Sequence, residues 1–431
     1  MWLLARGAFC SRSVLVRPGM LRSLHAHARA SVAVAWGAFV DRYANCSAKQ
    51  RSGIELHARA RPTRLALDRL FGCPPDACIR VRAVGAGMRH ALVAGEVLGG
   101  ASARTVLAGF GLNSSWQLGK PSVDDSIDRI GEPVVCAVDG TVTQIACGRE
   151  HSAMVVRRHD GIRRVLVCGN NAYGQLGLAA ERSGGDHGLP RHGINELTAL
   201  SDVLGGGEEP VKVQCGLDHT VVLTSRGRVF AMGWGDDGQL GTGLQTSSKC
   251  PVLVAGLEGT PIADISSTTD FTLALAVDGR LFYWGNAEYG QCMVGRKIDR
   301  VLARMNVSFG GGRIKAVAAG GCHSLLLTEA GQVYACGYGA LGLGPDKLAA
   351  LEPTLIGGLD GVEAILASTD RCLAIDNERR VYSWGLGNSA GRLGNGSAAA
   401  NVFSPEALSI DPALVSPSMT ALGNDIAIMV S

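Results

Sequence analysis

The stretch VKVQCGLDHTVVLTSRGRVFAMGWGDDGQLG, around Lys212 to Gly241, is one copy of a unit that returns along this chain of 431 residues. Self-similarity of this kind confines the fold to a solenoid, an array or a ring of repeated sheets. Two anchors define the unit. The first is a glycine followed three positions later by a histidine: Gly87 with His90, Gly148 with His151, Gly216 with His219 and Gly320 with His323. The second is an apolar strand running into a glycine-rich turn, at Ala108-Gly109, Cys168-Gly169, Met232-Gly233, Trp284-Gly285, Cys336-Gly337 and Trp384-Gly385. Two blocks lack the histidine, with Thr268 and Phe271 at the anchor positions of one and Ser368 and Arg371 in the other. Their register survives: Gly216 to Gly233, Thr268 to Gly285, Gly320 to Gly337 and Ser368 to Gly385 each span 17 positions.

Half a unit remains at each end. Ser31 to Phe39 holds a second anchor, Trp36-Gly37, without a first; Thr420 to Ser431 holds a first anchor at Gly423 without a second. Joined, the two halves make a seventh unit. Short apolar alternations such as Val211, Val213 and Cys215, split by turns such as Ser225-Arg226-Gly227-Arg228, read as strands. Units of four strands repeated radially form a β-propeller, and pairing the terminal segments in one blade removes the open sheet edges that invite aggregation. The expected fold is an all-β, seven-bladed propeller over residues 31–431, its last blade closed by N- and C-terminal strands. The anchors Gly87, His90, Gly148, His151, Gly216, His219, Gly320 and His323 then take structural roles. Glycine supplies positive φ where the turn needs it, and the imidazole satisfies a buried turn carbonyl. One histidine per blade is too dispersed to share a metal. A composition of 46% hydrophobic and 18% charged residues with 59 glycines suits many short buried strands and tight turns. No apolar run reaches the ~18 residues of a membrane-spanning helix.

The first 40 residues differ in kind. Arg6, Arg12, Arg17, Arg22 and Arg29 occur there with several serines, and the first acid is Asp41. This is the composition of a mitochondrial transit peptide, assigned to residues 1–30; a secretory signal is the alternative, but arginines interrupt its apolar stretch. Without those five arginines, the formal charge of +3 becomes −2, since 36 Lys and Arg then face 38 Asp and Glu. A basic isoelectric point is therefore no argument for nucleic acid. A local patch does persist. Arg42 to Arg82 carries nine cations against Glu55, Asp68 and Asp76, and Arg59, Arg61, Arg64, Arg69, Arg80 and Arg82 are candidate phosphate contacts. A solvated loop explains the same run. Trp234, Asp236 and Asp237 form a candidate partner-facing turn, and the insertion from Leu178 to Pro210 is a candidate intruding loop.

Enzymatic readings fail on context. Gly233-Trp234-Gly235-Asp236-Asp237-Gly238 and Gly337-Tyr338-Gly339-Ala340-Leu341-Gly342 match the dinucleotide fingerprint, yet they sit at equivalent repeat positions without a helix opening at the third glycine. No nucleophile stands beside a base. Of the 13 cysteines, Cys147, Cys168, Cys215 and Cys336 each precede an anchor glycine and read as core filler, and Cys73 and Cys78 have no partner pair at zinc spacing. No cofactor, metal or catalytic activity is expected.

The blocks CGREHSAMVV, CGLDHTVVL and GGCHSLLLT, followed by NNAYGQLG, GWGDDGQLG and GYGALGLG, resemble the repeats of the regulator-of-chromosome-condensation (RCC) propeller family over Ser31 to Ser431. The motif is specific for the fold rather than for one activity. With the leader, the turns YWGNAEYGQC and ACGYGALGLGP resemble mitochondrial members of that family. The resemblance implies a protein of the mitochondrial matrix or the matrix face of the inner membrane, with peripheral membrane association. It also implies a role in large-ribosomal-subunit assembly through ribosomal RNA or assembly factors, the favoured function. Guanine-nucleotide exchange on a mitochondrial fusion GTPase is the alternative it implies.

Overall fold

The middle strands of the repeat carry a continuous apolar centre, whereas the inner ones alternate, and this difference places each strand in the sheet. In a computed structural model of the chain, residues 31–37, 61–75, 77–98, 103–120, 133–178, 183–184, 189–190, 193–387, 391–396 and 401–431 are described. All fall within the compact unit Ser31–Ser431. His219–Thr224, Phe271–Ala276, His323–Thr328 and Arg371–Asp376 are buried at every position, covered on both faces by neighbouring sheets. Inner strands such as Ile262–Ser267 instead turn alternate residues away from the core.

Seven four-stranded antiparallel sheets result. Blade 1 runs from Cys78 to Ala137, blade 2 from Thr141 to Glu196 and blade 3 from Pro210 to Leu253. Blade 4 runs from Ile262 to Val307, blade 5 from Ala319's strand, Ile314–Ala319, to Leu355, and blade 6 from Val362 to Ala407. Blade 7 is composite. Its inner strands are Thr420–Leu422 and Ile426–Val430, its outer ones Ala33–Gly37 and Thr63–Arg64. Trp36 shows that the N-terminal strand is a true third strand: its Nε1–H donates to Arg392 O at 3.1 Å, as Trp284 does to Gln239 O at 3.1 Å within the ring.

No single core exists among the described residues. Seven apolar clusters each lie between two adjacent blades, from Leu92, Leu107 and Met154 between blades 1 and 2 to Trp36, Leu373 and Met429 between blades 6 and 7. The inner strands surround a central channel of about 360 Å³. Each blade is thus stable only against its neighbours, which is why ring closure matters.

Three details depart from the sequence reading. In blade 1 the turn glycine is Gly111, not Gly109, because His90 pairs with Gly111 as His219 pairs with Gly233. The strands there are nine residues long, which shifts the turn outward. The insertion from Leu178 is only partly a loop, since Asn195–Glu196 is the outer strand of blade 2. Behind it, the helix Thr198–Val203 buries Leu200 beside Leu197. The third concerns the anchors. Gly87, Gly148, Gly216 and Gly320 do not have positive φ; the turn glycines Gly111, Gly169, Gly233, Gly285, Gly337 and Gly385 do.

Candidate protein-binding face

Close approach, rather than φ, demands glycine at the first anchor. A Cβ on Gly216 would lie 2.4 Å from Thr269 O of the next blade and 2.0 Å from His219 Cε1. The same crowding recurs at Gly148 against Gly216 O and at Gly423 against Gly87 O, so these backbones abut around the channel mouth. Hydrogen bonds run across the same seams, from Met88 N to Gly148 O at 3.1 Å and from Asn424 N to Gly87 O at 3.0 Å.

The histidines reach the neighbouring blade's hydroxyl or thiol, not the turn carbonyl expected. His90 Nε2 lies 2.8 Å from Ser152 Oγ, His151 Nε2 3.1 Å from Thr220 Oγ1, His219 Nε2 3.0 Å from Ser267 Oγ and His323 Nε2 3.0 Å from Cys372 Sγ. Ser152 and Thr220 already donate their hydroxyl protons to Gln117 O and Gln175 O. The imidazole must then be the donor, which fixes the neutral Nε2–H tautomer. Among the described residues Nδ1 of His90 and of His219 has no hydrogen-bond partner, so a second proton there would be buried without an acceptor. Burial accordingly holds His90 and His219 down at about 3 and His151 and His323 at about 4. Where the histidine is missing, other side chains tie the seam. Thr269 Oγ1 donates to Gly320 O at 3.1 Å, and buried Arg371 donates from Nε and Nη2 to Gly423 O at 2.9 and 2.7 Å.

These turns crown one face of the ring, and the third strand of each blade ends beside them. Trp234 N donates to Asp218 O and Asn286 N to Asp270 O, both at 2.9 Å. The candidate turn Trp234, Asp236 and Asp237 therefore shares a surface with the first-anchor turns. The sequence reading missed what those turns carry. The position immediately before the histidine site is acidic in five blades: Glu150, Asp218, Asp270, Asp370 and Asp425, with Arg89 and Cys322 in blades 1 and 5. The regular spacing from the anchor glycine was the available signal.

Charge is concentrated over blades 3 and 4. Asp270 is pushed up to about 6, by burial first and then by the negative charges of Asp237 and Asp218. Asp218 is raised as well, again chiefly by burial, although Arg149 pairs with it and opposes the shift. Around this centre stand aromatic and aliphatic side chains on the loops of blades 2 to 5. Tyr173 packs edge-on to Trp234 with centroids 4.6 Å apart, and Tyr289 lies 6.3 Å from Tyr338. Tyr173, Leu244, Tyr289, Tyr338 and Leu348 are all exposed. A second cation meets the cluster beside Arg149, with Arg300 Nη1 3.6 Å from Asp237 Oδ1.

The described arginines of the patch are spread over several elements. Arg80 and Arg82, on the inner strand of blade 1, both approach Glu96, at 3.9 and 2.7 Å. Arg64 is on the outer strand of blade 7, Arg61 just precedes that strand beside Gly396, and Arg69 lies in the short helix Leu67–Leu70. These three are exposed. Arg59 lies outside the described residues, as does the leader, residues 1–30. Among the described residues no group of three or more His, Cys, Asp or Glu is placed to hold a metal ion, and no helix is long and apolar enough to cross a membrane.

The class follows from this geometry. Family models of the regulator of chromosome condensation (RCC1) repeat match residues 164–223 and 226–275, and a second model matches 211–239 and 314–342. The chain belongs to the RCC1-repeat propeller family. Among its relatives is the human RCC1-like G exchanging factor-like protein, 32% identical over 314 residues, which are 68% of this chain and 65% of the relative. The mouse protein of the same name aligns to the same extent, so the match spans just under two thirds of either relative. The ultraviolet-B receptor UVR8 of Arabidopsis thaliana is 28% identical over 74% of this chain and 68% of its own length. Among solved structures, human WBSCR16 superposes with a TM-score of 0.76 at 27% identity, covering 94% of this chain and 99% of that one. Prp20p of Saccharomyces cerevisiae, at 19% identity and a TM-score of 0.71 over 93% of this chain and 91% of its own, shares the fold.

Proposed function

We propose that this chain is a non-catalytic binding propeller whose acidic, aromatic face over blades 2 to 5 docks a protein, a GTPase whose nucleotide exchange it promotes. The cluster of Asp218, Asp237 and Asp270 carries the reading. Ring closure uses the glycines, histidines and backbone of these turns rather than the carboxylates, and Arg149 and Arg300 offset only part of the charge, so three acids face two cations at one spot. A Lys- or Arg-bearing segment would relieve it, whereas RNA phosphates would add to it. Exposed Tyr173, Tyr289 and Tyr338 beside Trp234 supply anchors of the kind that dominate protein interfaces. The name of the human and mouse relatives, which includes "G exchanging factor-like", supports the same reading, and the Prp20p structure was described with its binding to Gsp1p and histones.

A second reading rests on the exposed Arg61, Arg64 and Arg69 at the edge of blade 7. That surface is a candidate contact for ribosomal RNA or assembly factors during maturation of the large mitochondrial ribosomal subunit. The acid-free, arginine-bearing leader supports a mitochondrial destination, in the matrix or on the matrix face of the inner membrane.

Asp270 distinguishes a functional charge from a structural one. Because the folded state holds its proton more tightly than the unfolded chain does, Asp270 costs stability as pH rises from about 4 through about 6, and the full cost is present at pH 7.5. Asp270→Asn removes that cost. We expect a gain of about 1–2 kcal/mol at pH 7.5, discounted for its partial exposure, and little change at pH 4. The same variant should slow GTPase nucleotide release at least tenfold. Denaturation at both pH values and a release assay check this; unchanged stability, or unchanged release, goes against the assignment.

A further inference from the structure

On the opposite face of the ring, between blades 3 and 4, the apolar seam opens into a cavity of about 460 Å³. Val229, Val254, Leu257 and Pro261 line its walls, with Leu253, 41% exposed, at its edge. Its volume falls within the range of pockets that receive a drug-sized group or a large side chain. It lies where the hairpin turn of blade 3 leans on the start of blade 4, through Ile262 N donating to Gly227 O at 3.0 Å. Neither ring closure nor the acidic face uses this opening.

Charges of both signs stand around it. Arg226 donates to the carbonyl of Gly206 at 2.8 Å, and Arg304 lies over the Phe282 ring and donates to Asn306 Oδ1 at 2.7 Å. Arg228 pairs with Glu208, and Arg280 pairs with Asp278 while donating to Thr260 Oγ1 at 3.2 Å. Glu258 is the one carboxylate among the cavity-lining residues. Arg226 and Arg228 line the apolar opening, while Arg304 stands beside Gly256 and Arg280 beside Thr260; in these contacts Arg226 and Arg304 are the two not engaged with a carboxylate.

From this combination we infer a second docking site: the opening between blades 3 and 4 receives a leucine or phenylalanine side chain from an acidic protein segment. The aliphatic walls take the apolar side chain, and Arg226 and Arg304 pair with flanking carboxylates. The partner is opposite in charge to the one proposed for the other face, so one propeller could bridge two proteins. The inference stands whether or not the exchange reading holds.

The probe is a fluorescein-labelled 12-residue peptide rich in Asp and Glu with one central Phe, titrated by fluorescence polarisation into the full chain. A matched peptide with Lys in place of the acids and sodium octanoate are compared with it. Saturable binding is expected, weakened at least tenfold by Arg226→Glu, by Leu253→Asp and by replacing the central Phe with Ser, and weakened by added salt. Leu253 and Arg226 are exposed, so unchanged thermal unfolding of the variants shows that the site rather than the fold was lost. The assignment is overturned if the acidic peptide does not bind, if the Lys peptide binds as well, or if the variants bind like the parent. It is equally overturned if octanoate alone occupies the pocket, or if sedimentation shows a second copy of the chain seated there.

Discussion

A chain beginning at Val40 should not fold cooperatively, whereas one beginning at Ser31 should. The truncation removes the third strand of blade 7, Ala33–Gly37, which pairs with all five residues of Ile426–Val430 and also with Thr63–Arg64. It takes away Ala33, Val34, Ala35 and Trp36, each no more than 6% exposed. Burying a tryptophan alone is worth about 4–6 kcal/mol at 25 cal/mol per Å². With the lost ladder, the deficit equals or exceeds the 5–15 kcal/mol by which domains are stable. It also leaves Ile426–Val430, buried at every position, as an open apolar edge that invites aggregation. Denaturant unfolding and sedimentation of the two chains check this. A monomeric Val40 chain that melts like the Ser31 chain would show that closure depends on other contacts.

Acid should unfold the ring through its histidines. The unfolded chain takes up protons near the ordinary histidine value of 6.5, but the folded state refuses them until about 3 to 4. Proton uptake thus favours the unfolded chain, and stability is lost as pH falls from 6.5 toward 4. Each site contributes up to about 1.4 kcal/mol per pH unit in that window, so the four together remove on the order of 10 kcal/mol between pH 6 and 4. His219→Gln should flatten the slope by roughly one quarter, while lowering stability at pH 7.5 by about 1–3 kcal/mol for the lost tie to Ser267. Urea midpoints from pH 7.5 to 4.5 measure both effects. A slope unchanged by the substitution would mean that His219 is already protonated or solvated in the fold.

The ring was legible because its period is carried by residues with no substitute: a Cβ at Gly216 has nowhere to go, and Trp36-Gly37 repeats the chemistry of Trp284-Gly285. What escaped had no side-chain signature of its own. The two-residue strand Asn195–Glu196 pairs through its backbone, so a polar insertion concealed it. Gly109 mimics the turn glycine in sequence, but the longer strands of blade 1 move the turn to Gly111 without changing its composition. The glycines were recognised but given the wrong cause, since distance to the next blade cannot be read from one repeat. The acids were in plain view at the position before each histidine. Their meaning depends on the turn of one blade lying beside the next, as when Asp237 and Asp218 together act on Asp270. The arginine run looked continuous in sequence, but folding assigned Arg80 and Arg82 to Glu96 and left Arg61, Arg64 and Arg69 on other elements.

Which surface meets the partner is the central question, and site-specific photocrosslinking of the full chain in cells answers it most directly. A benzophenone side chain placed at Asp236 samples the acidic face, and one at Arg64 samples the edge of blade 7; both positions are exposed. The probe at Asp236 is expected to yield a protein adduct that is a GTPase, diminished by Asp270→Asn, and the probe at Arg64 is expected not to yield this adduct. Recovery of the GTPase from Arg64 alone, or of ribosomal RNA from Asp236, would contradict this expectation.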